Sequence, residues 1–125
     1  MNVAYDAGLL VAADRDDREV WADHRIRLEL GILPKTTAPV VAQVSRSTRQ
    51  AQLRRFLRGC EIEAFSPHQA HEVGGLIAKA GTSDVVDAHL MIVAFETGST
   101  VHTSDAGDLR KLSKHLSATV LLQRM

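Results

Sequence analysis

Aromatic residues are scarce in this chain: one tryptophan, one tyrosine and three phenylalanines, 4% of 125 residues. That scarcity argues against nucleic-acid binding driven by base stacking, which needs exposed rings as platforms. A single cysteine, Cys60, excludes an internal disulfide and suits a reducing compartment. Its simplest role is that of a small buried hydrophobe. Neither sign of charge is in excess, since fifteen Lys and Arg balance fifteen Asp and Glu for a formal net charge of zero. No global field draws such a chain to nucleic acid, and any contact of that kind must come from local patches. No apolar run approaches the roughly 18 residues that a membrane span requires, and Asp6 interrupts the N-terminus too early for a signal peptide. The expectation is a soluble cytoplasmic protein. The length reads as one domain over residues 1–125, able to bury about two thirds of its unfolded surface in one core.

What is present is an alternation of short apolar runs with helical patterns. Residues 2–5 read as a strand, residues 8–13 as one or two helical turns, and the charged stretch 14–18 as a solvated turn. From Glu19 a helical pattern runs to Gly31, a C-terminal cap ahead of Pro34. Pro39-Val40-Val41-Ala42 reads as a second strand, followed after Gln43 and Ser45 by a helix to about Leu57. Residues 61–65 alternate with period two as an edge strand. Ser66-Pro67 opens a helix to Ala80, with the serine as cap and proline in the first turn. An apolar helix covers 84–97, a fourth strand leads to Asp105, a short helix spans 109–116 and a last strand 118–122. Strands alternating with helices predict an α/β fold with a mostly parallel sheet of four to five strands covered on both faces.

Four carboxylates sit where apolar elements meet polar sequence. Asp6 ends the first strand, Asp105 the fourth, and Asp84 and Asp87 open the apolar helix, three positions apart and so on one helical face. Capping or the helix macrodipole accounts for any one of them alone. Together they point elsewhere, because the carboxyl ends of strands in an open α/β sheet form one crevice. Like charges gathered there destabilise one another unless a cation lies between them. A hard divalent ion, Mg2+ or Mn2+, takes oxygen ligands of this kind.

Asp6-Ala7 after the first strand, the stretch from Thr82 to His89 with Asp84 and Asp87, and the stretch from Thr103 to Leu109 with Ser104, Asp105 and Asp108 together resemble the first, third and fourth acidic motifs of the PIN-domain ribonucleases. Within that family the resemblance is to the VapC toxins of toxin–antitoxin pairs, and it runs over nearly the whole chain. It implies a three-layer α/β/α PIN-like domain and a Mg2+- or Mn2+-dependent endoribonuclease. Asp6, Asp87 and Asp105 would be direct or water-mediated metal ligands, Asp84 and Asp108 auxiliary ones, and Ser104 would orient water or a carboxylate. The chemistry implied is metal-assisted hydrolysis of RNA phosphodiesters. The implied partners are an RNA substrate, a cognate antitoxin and a second copy in a homodimer.

One position departs from the family pattern. Gln43 stands where the second acid is usually a glutamate, keeping a carbonyl oxygen but losing a charge. An alternative follows: a catalytically weakened module that binds RNA or antitoxin without efficient cleavage. A phosphoacceptor receiver domain is excluded, because Phe65-Ser66 and Gln123-Arg124 supply neither its aspartate nor its lysine.

For RNA, the helix expected after Gln43 offers Arg46, Arg49, Arg54, Arg55 and Arg58 with no intervening acid, a stripe that attracts phosphate. Solvated arginines on a surface helix, or a docking face for an acidic antitoxin tail, explain it equally. His68 and His71 lack a third ligand at zinc spacing. His89 reads as a packed side chain, and Trp21 as core or interface packing.

Overall fold

The computed structural model describes residues 1–103, 106–116 and 121–124. Their order is β1 (Asn2–Tyr5), α1 (Ala7–Asp14), α2 (Arg18–Glu29), β2 (Lys35–Thr37), α3 (Ala38–Val44), α4 (Ala51–Leu57), β3 (Glu61–Glu63), α5 (Pro67–Ala80), α6 (Val85–Thr97), β4 (Ser99–Thr103), α7 (Ala106–Ser113) and β5 (Leu122–Arg124). The five strands form one sheet in the order β3-β2-β1-β4-β5, and every pairing is parallel. The fold is α/β, as the alternation of elements predicts.

That strand order places the layers. From β1 the chain steps outward to β2 and then β3, and afterwards returns past β1 to β4 and β5. Parallel crossovers are right-handed, so reversing the direction of travel moves the connecting helices to the opposite face. Helices α1 to α4 thus lie on one face and α5 to α7 on the other. The reversal falls between β1 and β4, which pair from Asn2 with Ser99 to Tyr5 with His102. The crevice beyond the carboxyl ends of those two strands is where such sheets bind ligands.

Local chemistry accounts for the best-defined helices. Ser66 Oγ accepts the Gln69 N–H at 3.1 Å while Gln69 Oε1 accepts the Ser66 N–H at 3.0 Å, a reciprocal cap with Pro67 behind it. Gly81 and Gly98 close α5 and α6 in the left-handed region, at φ 70° and 62°. In α6 every residue from Ala88 to Ala94 is buried, so this helix is wrapped on nearly all sides and forms the centre of the core with β1.

Residues 39–42 are helical, not a strand. Thr37 Oγ1 accepts the Val40 N–H at 3.2 Å, and Pro39 sits in the first turn, where its missing N–H costs nothing. A short valine-rich run has no periodicity that tells a strand from a buried helix. The true strand is Lys35–Thr37, whose threonines are buried and whose Lys35 Nζ lies 3.1 Å from Glu61 and 3.4 Å from Glu63 on the edge strand. The helix expected after Gln43 and Ser45 starts late: α3 ends at Val44, residues 45–50 form a loop, and only α4 is helical in that span. Gln50 organises the loop between them: its Oε1 accepts the N–H groups of Arg46 and Ser47 at 2.7 and 3.1 Å. Its Nε2 donates to Val44 O at 2.9 Å and Asp14 Oδ2 at 3.0 Å. The last strand begins at Leu122, and residues 118–120 of the expected strand lie outside the described residues.

Candidate functional site

Asp6 leaves the end of β1 with an extended backbone and caps α1, its Oδ1 accepting the Leu9 N–H at 2.9 Å. Its own N–H donates to the His102 carbonyl of β4 at 3.3 Å, which fixes the carboxylate at the strand reversal. It is 7% exposed. Asp84 caps α6, its Oδ1 accepting the Asp87 N–H at 2.9 Å while its own N–H donates to Thr82 Oγ1 at 3.3 Å. Asp87 follows in the first turn of that helix. Asp108 sits in the first turn of α7, which packs against α6.

These acids sense one another. Burial is the largest influence on Asp87, pushing its carboxyl up to about 7, and the charges of Asp84, Asp6 and Asp108 push the same way. A carboxyl so raised marks a site short of positive charge. Asp84, Asp87 and Asp108 line a cavity of about 550 Å3 together with Gly81, Thr82 and Lys111. The sequence-based expectation that acids from separate motifs meet holds for Asp84, Asp87 and Asp108, with Asp6 close enough for its charge to act on Asp87. Ser104 and Asp105 lie outside the described residues, immediately past Thr103 at the end of β4.

The donor set suits a hard cation, since the candidate ligands Asp84, Asp87 and Asp108 are carboxylates and Thr82 and Ser83 add hydroxyl oxygens, with Lys111 the one cationic side chain in the lining among the described residues. Among the described residues, however, no three Asp, Glu, His or Cys side chains converge closely enough to hold an ion by themselves. Gln43 is exposed on α3 and does not line the cavity. Arg46 and Arg49 are exposed in the loop before α4, not on a helical stripe with Arg54, Arg55 and Arg58. Through Gln50 this loop is pinned to Asp14 at the far end of α1, about 12 Å along the helix from Asp6.

A second polar assembly was not legible in the sequence. Tyr5 Oη is 2.9 Å from His24 Nδ1 and accepts from Arg27 Nη1 at 3.1 Å, and Arg27 Nη2 is 3.2 Å from His102 Nδ1. Burial first, and the Arg27 charge second, hold both histidines down near about 4. Burial also raises the Tyr5 hydroxyl to about 12. Phe56 stacks on His24 at 3.9 Å between ring centroids, and Trp21 meets Phe56 edge-on at 5.0 Å, consistent with packing. No sequence spacing signals these partners, which come from β1, α2 and β4. His89 is fully buried and stacks on Phe65 at 4.3 Å, with Nε2 2.9 Å from Gln69 Oε1. Burial pushes the Cys60 thiol up to about 12, which makes it inert. His68 pairs with Glu72 at 3.1 Å. Among the described residues no helix is long and apolar enough to cross a membrane.

No family model matches the sequence, and no curated protein does. Solved structures do. The VapBC2 structure from Rickettsia felis, bound to a promoter DNA fragment, matches at a TM-score of 0.71 and 16% identity over 100% of this chain and 99% of that one. PAE2754 from Pyrobaculum aerophilum matches at 0.64 and 16% identity, covering 96% of this chain and 83% of that one. FitAB bound to an IR36 DNA fragment matches at 0.64 and 16% identity, covering 99% and 94%. The fold these comparisons define is the PIN-like α/β/α arrangement expected from the acidic motifs.

Proposed function

We propose that this chain is a metal-dependent endoribonuclease of the VapC type, the toxin of a toxin–antitoxin pair. The observation that carries the reading is Asp87, half-buried in the first turn of α6, whose carboxyl is pushed up to about 7 by burial first and by the charges of Asp84, Asp6 and Asp108 in addition. Asp6, Asp87 and Asp105 would hold Mg2+ or Mn2+, with Asp84 and Asp108 in support. When bound, such an ion activates water and neutralises charge on a phosphodiester. The chain's own contribution is positional: the Leu9 N–H holds Asp6, the Asp87 N–H holds Asp84, and the wrapped helix α6 keeps Asp87 in place. Ser104 would orient water or a carboxylate, and Arg46 and Arg49 would meet RNA beyond the cavity.

VapBC2 and FitAB are two-component names, which supports an antitoxin as partner here. Ile26 and Leu28 on α2 and Leu30 at its C-terminal cap are exposed and give an antitoxin or a second copy an apolar surface. The test is cleavage of single-stranded RNA by protein purified without antitoxin. Activity should require Mg2+ or Mn2+, stop with EDTA, and vanish in Asp6→Ala. Equal activity in Asp6→Ala would assign the cleavage to a contaminant and remove the reading.

A second reading, a binding module with weakened catalysis, draws on the lack of a three-ligand group among the described residues and on Gln43. Under it Gln43→Glu creates or sharply raises cleavage. Under the enzyme reading the same change has a modest effect.

A further inference from the structure

Lys111, an exposed side chain, lines the acidic cavity, and among the described residues no carboxylate lies within ion-pairing distance of its ammonium group. It stands three positions after Asp108 on α7, so the two side chains share a helical face. A lysine recruited to offset the acids would sit in contact with one of them. Instead the charges that act on Asp87, after burial itself, are those of Asp84, Asp6 and Asp108, all of like sign. The cavity thus brings three carboxylates and a lysine together, with no ion pair to that lysine among the described residues, a mixed charge arrangement that suits a phosphate beside a cation site. The roughly 550 Å3 of space between them accommodates one nucleotide phosphate with its water.

We propose that Lys111 binds a backbone phosphate of single-stranded RNA at the mouth of this cavity, a substrate-contacting role that rests on the nuclease reading of the acids. An ammonium on a flexible stem is a point charge that follows a phosphate without demanding fixed geometry. Its contact is independent of base identity, so Lys111 contributes affinity and register, and the choice of cleavage sequence lies elsewhere.

The test uses the full chain and a fluorescein-labelled single-stranded RNA, with Ca2+ in place of Mg2+ so that binding is read without turnover. Lys111→Gln should weaken binding at low salt by about tenfold and reduce the salt dependence by about one phosphate contact, a slope change of about 0.7. Lys114→Gln removes the same charge from an exposed position outside the cavity lining and should change neither. Mn2+ affinity of Lys111→Gln, followed by thermal shift, should hold or rise. Equal losses in the two variants would reduce the effect to general charge, and a fall in Mn2+ affinity would make Lys111 a support for the carboxylates. Either result overturns the proposal, as does unchanged RNA binding or a wild-type chain that binds no RNA. If wild type binds RNA through Lys111 yet never cleaves it, the nuclease reading falls while the phosphate contact stands.

Discussion

Asp84 is joined to Asp87 in two ways: its Oδ1 accepts the Asp87 N–H at 2.9 Å, and the protonated Asp87 carboxyl shares a side-chain hydrogen bond with it. The first contact starts α6. The second, with the Asp84 charge, adds to the burial that pushes the Asp87 carboxyl up to about 7. Capping and acid–acid pairing are thus one structure, and the cap is what brings the two charges together.

Asp87 gives a pH dependence of defined sign. Its folded carboxyl titrates near 7, against 3.8 for the ordinary group. A raised acid stabilises the fold below its unfolded value and loses that contribution as pH climbs through the folded one. Metal-free wild type should therefore lose stability relative to Asp87→Asn as pH rises from about 4 to 7, on top of the opposite slope that other groups add to both proteins. Saturating Mn2+ should also suppress it in wild type, by binding the ionised form. Melting curves across this range, with and without Mn2+, check both outcomes; a wild-type curve parallel to that of Asp87→Asn would remove the cluster's charge conflict.

Asp6 does two jobs that two substitutions separate. Asp6→Asn keeps an oxygen to cap the Leu9 N–H and removes the charge, so stability should hold while Mn2+ stabilisation falls. Asp6→Ala loses the cap as well and should cost about 1 kcal/mol more. Urea denaturation with and without Mn2+ distinguishes them. Equal Mn2+ responses in wild type and Asp6→Asn would confine Asp6 to capping.

His24 and His102 act in the opposite direction to Asp87. Both are held down to about 4 from an ordinary 6.5. A depressed group contributes stability that is complete above 6.5 and drains away as pH falls to 4. In an Asp87→Asn background, where the opposing slope is gone, the urea midpoint should fall steadily over this window. A flat midpoint would show that the buried network tolerates protonation.

Gly59 shows how tightly that network is packed. A Cβ there would lie 2.8 Å from His24 Nε2 and 3.0 Å from Leu28 Cδ1. His24 cannot withdraw, because it stacks on Phe56 and bonds Tyr5. Gly59→Ala should cost about 1–3 kcal/mol by overpacking. A melting temperature within a degree of wild type would mean that α2 shifts freely.

The sequence by itself determined where most elements begin and end, because those signals are local. Ser66-Pro67, Gly81, Asp84 and Gly98 act through a cap, a fixed φ or a left-handed turn within a few residues of themselves. It also placed Asp6, Asp84 and Asp87 at element junctions, since the change from apolar to polar residues is visible along the chain. It misassigned residues 39–42, because a short buried run of valines reads alike in strand and helix, and there a single threonine cap decides. Only the tertiary structure set Gln43 apart from the cavity lining, moved Arg46 and Arg49 to the far end of α1, and joined Tyr5, His24, Arg27 and His102. Those relationships depend on strand order and on which face each crossover takes. A parallel sheet fixes both through contacts between residues distant in the chain, and such contacts leave no local pattern to read.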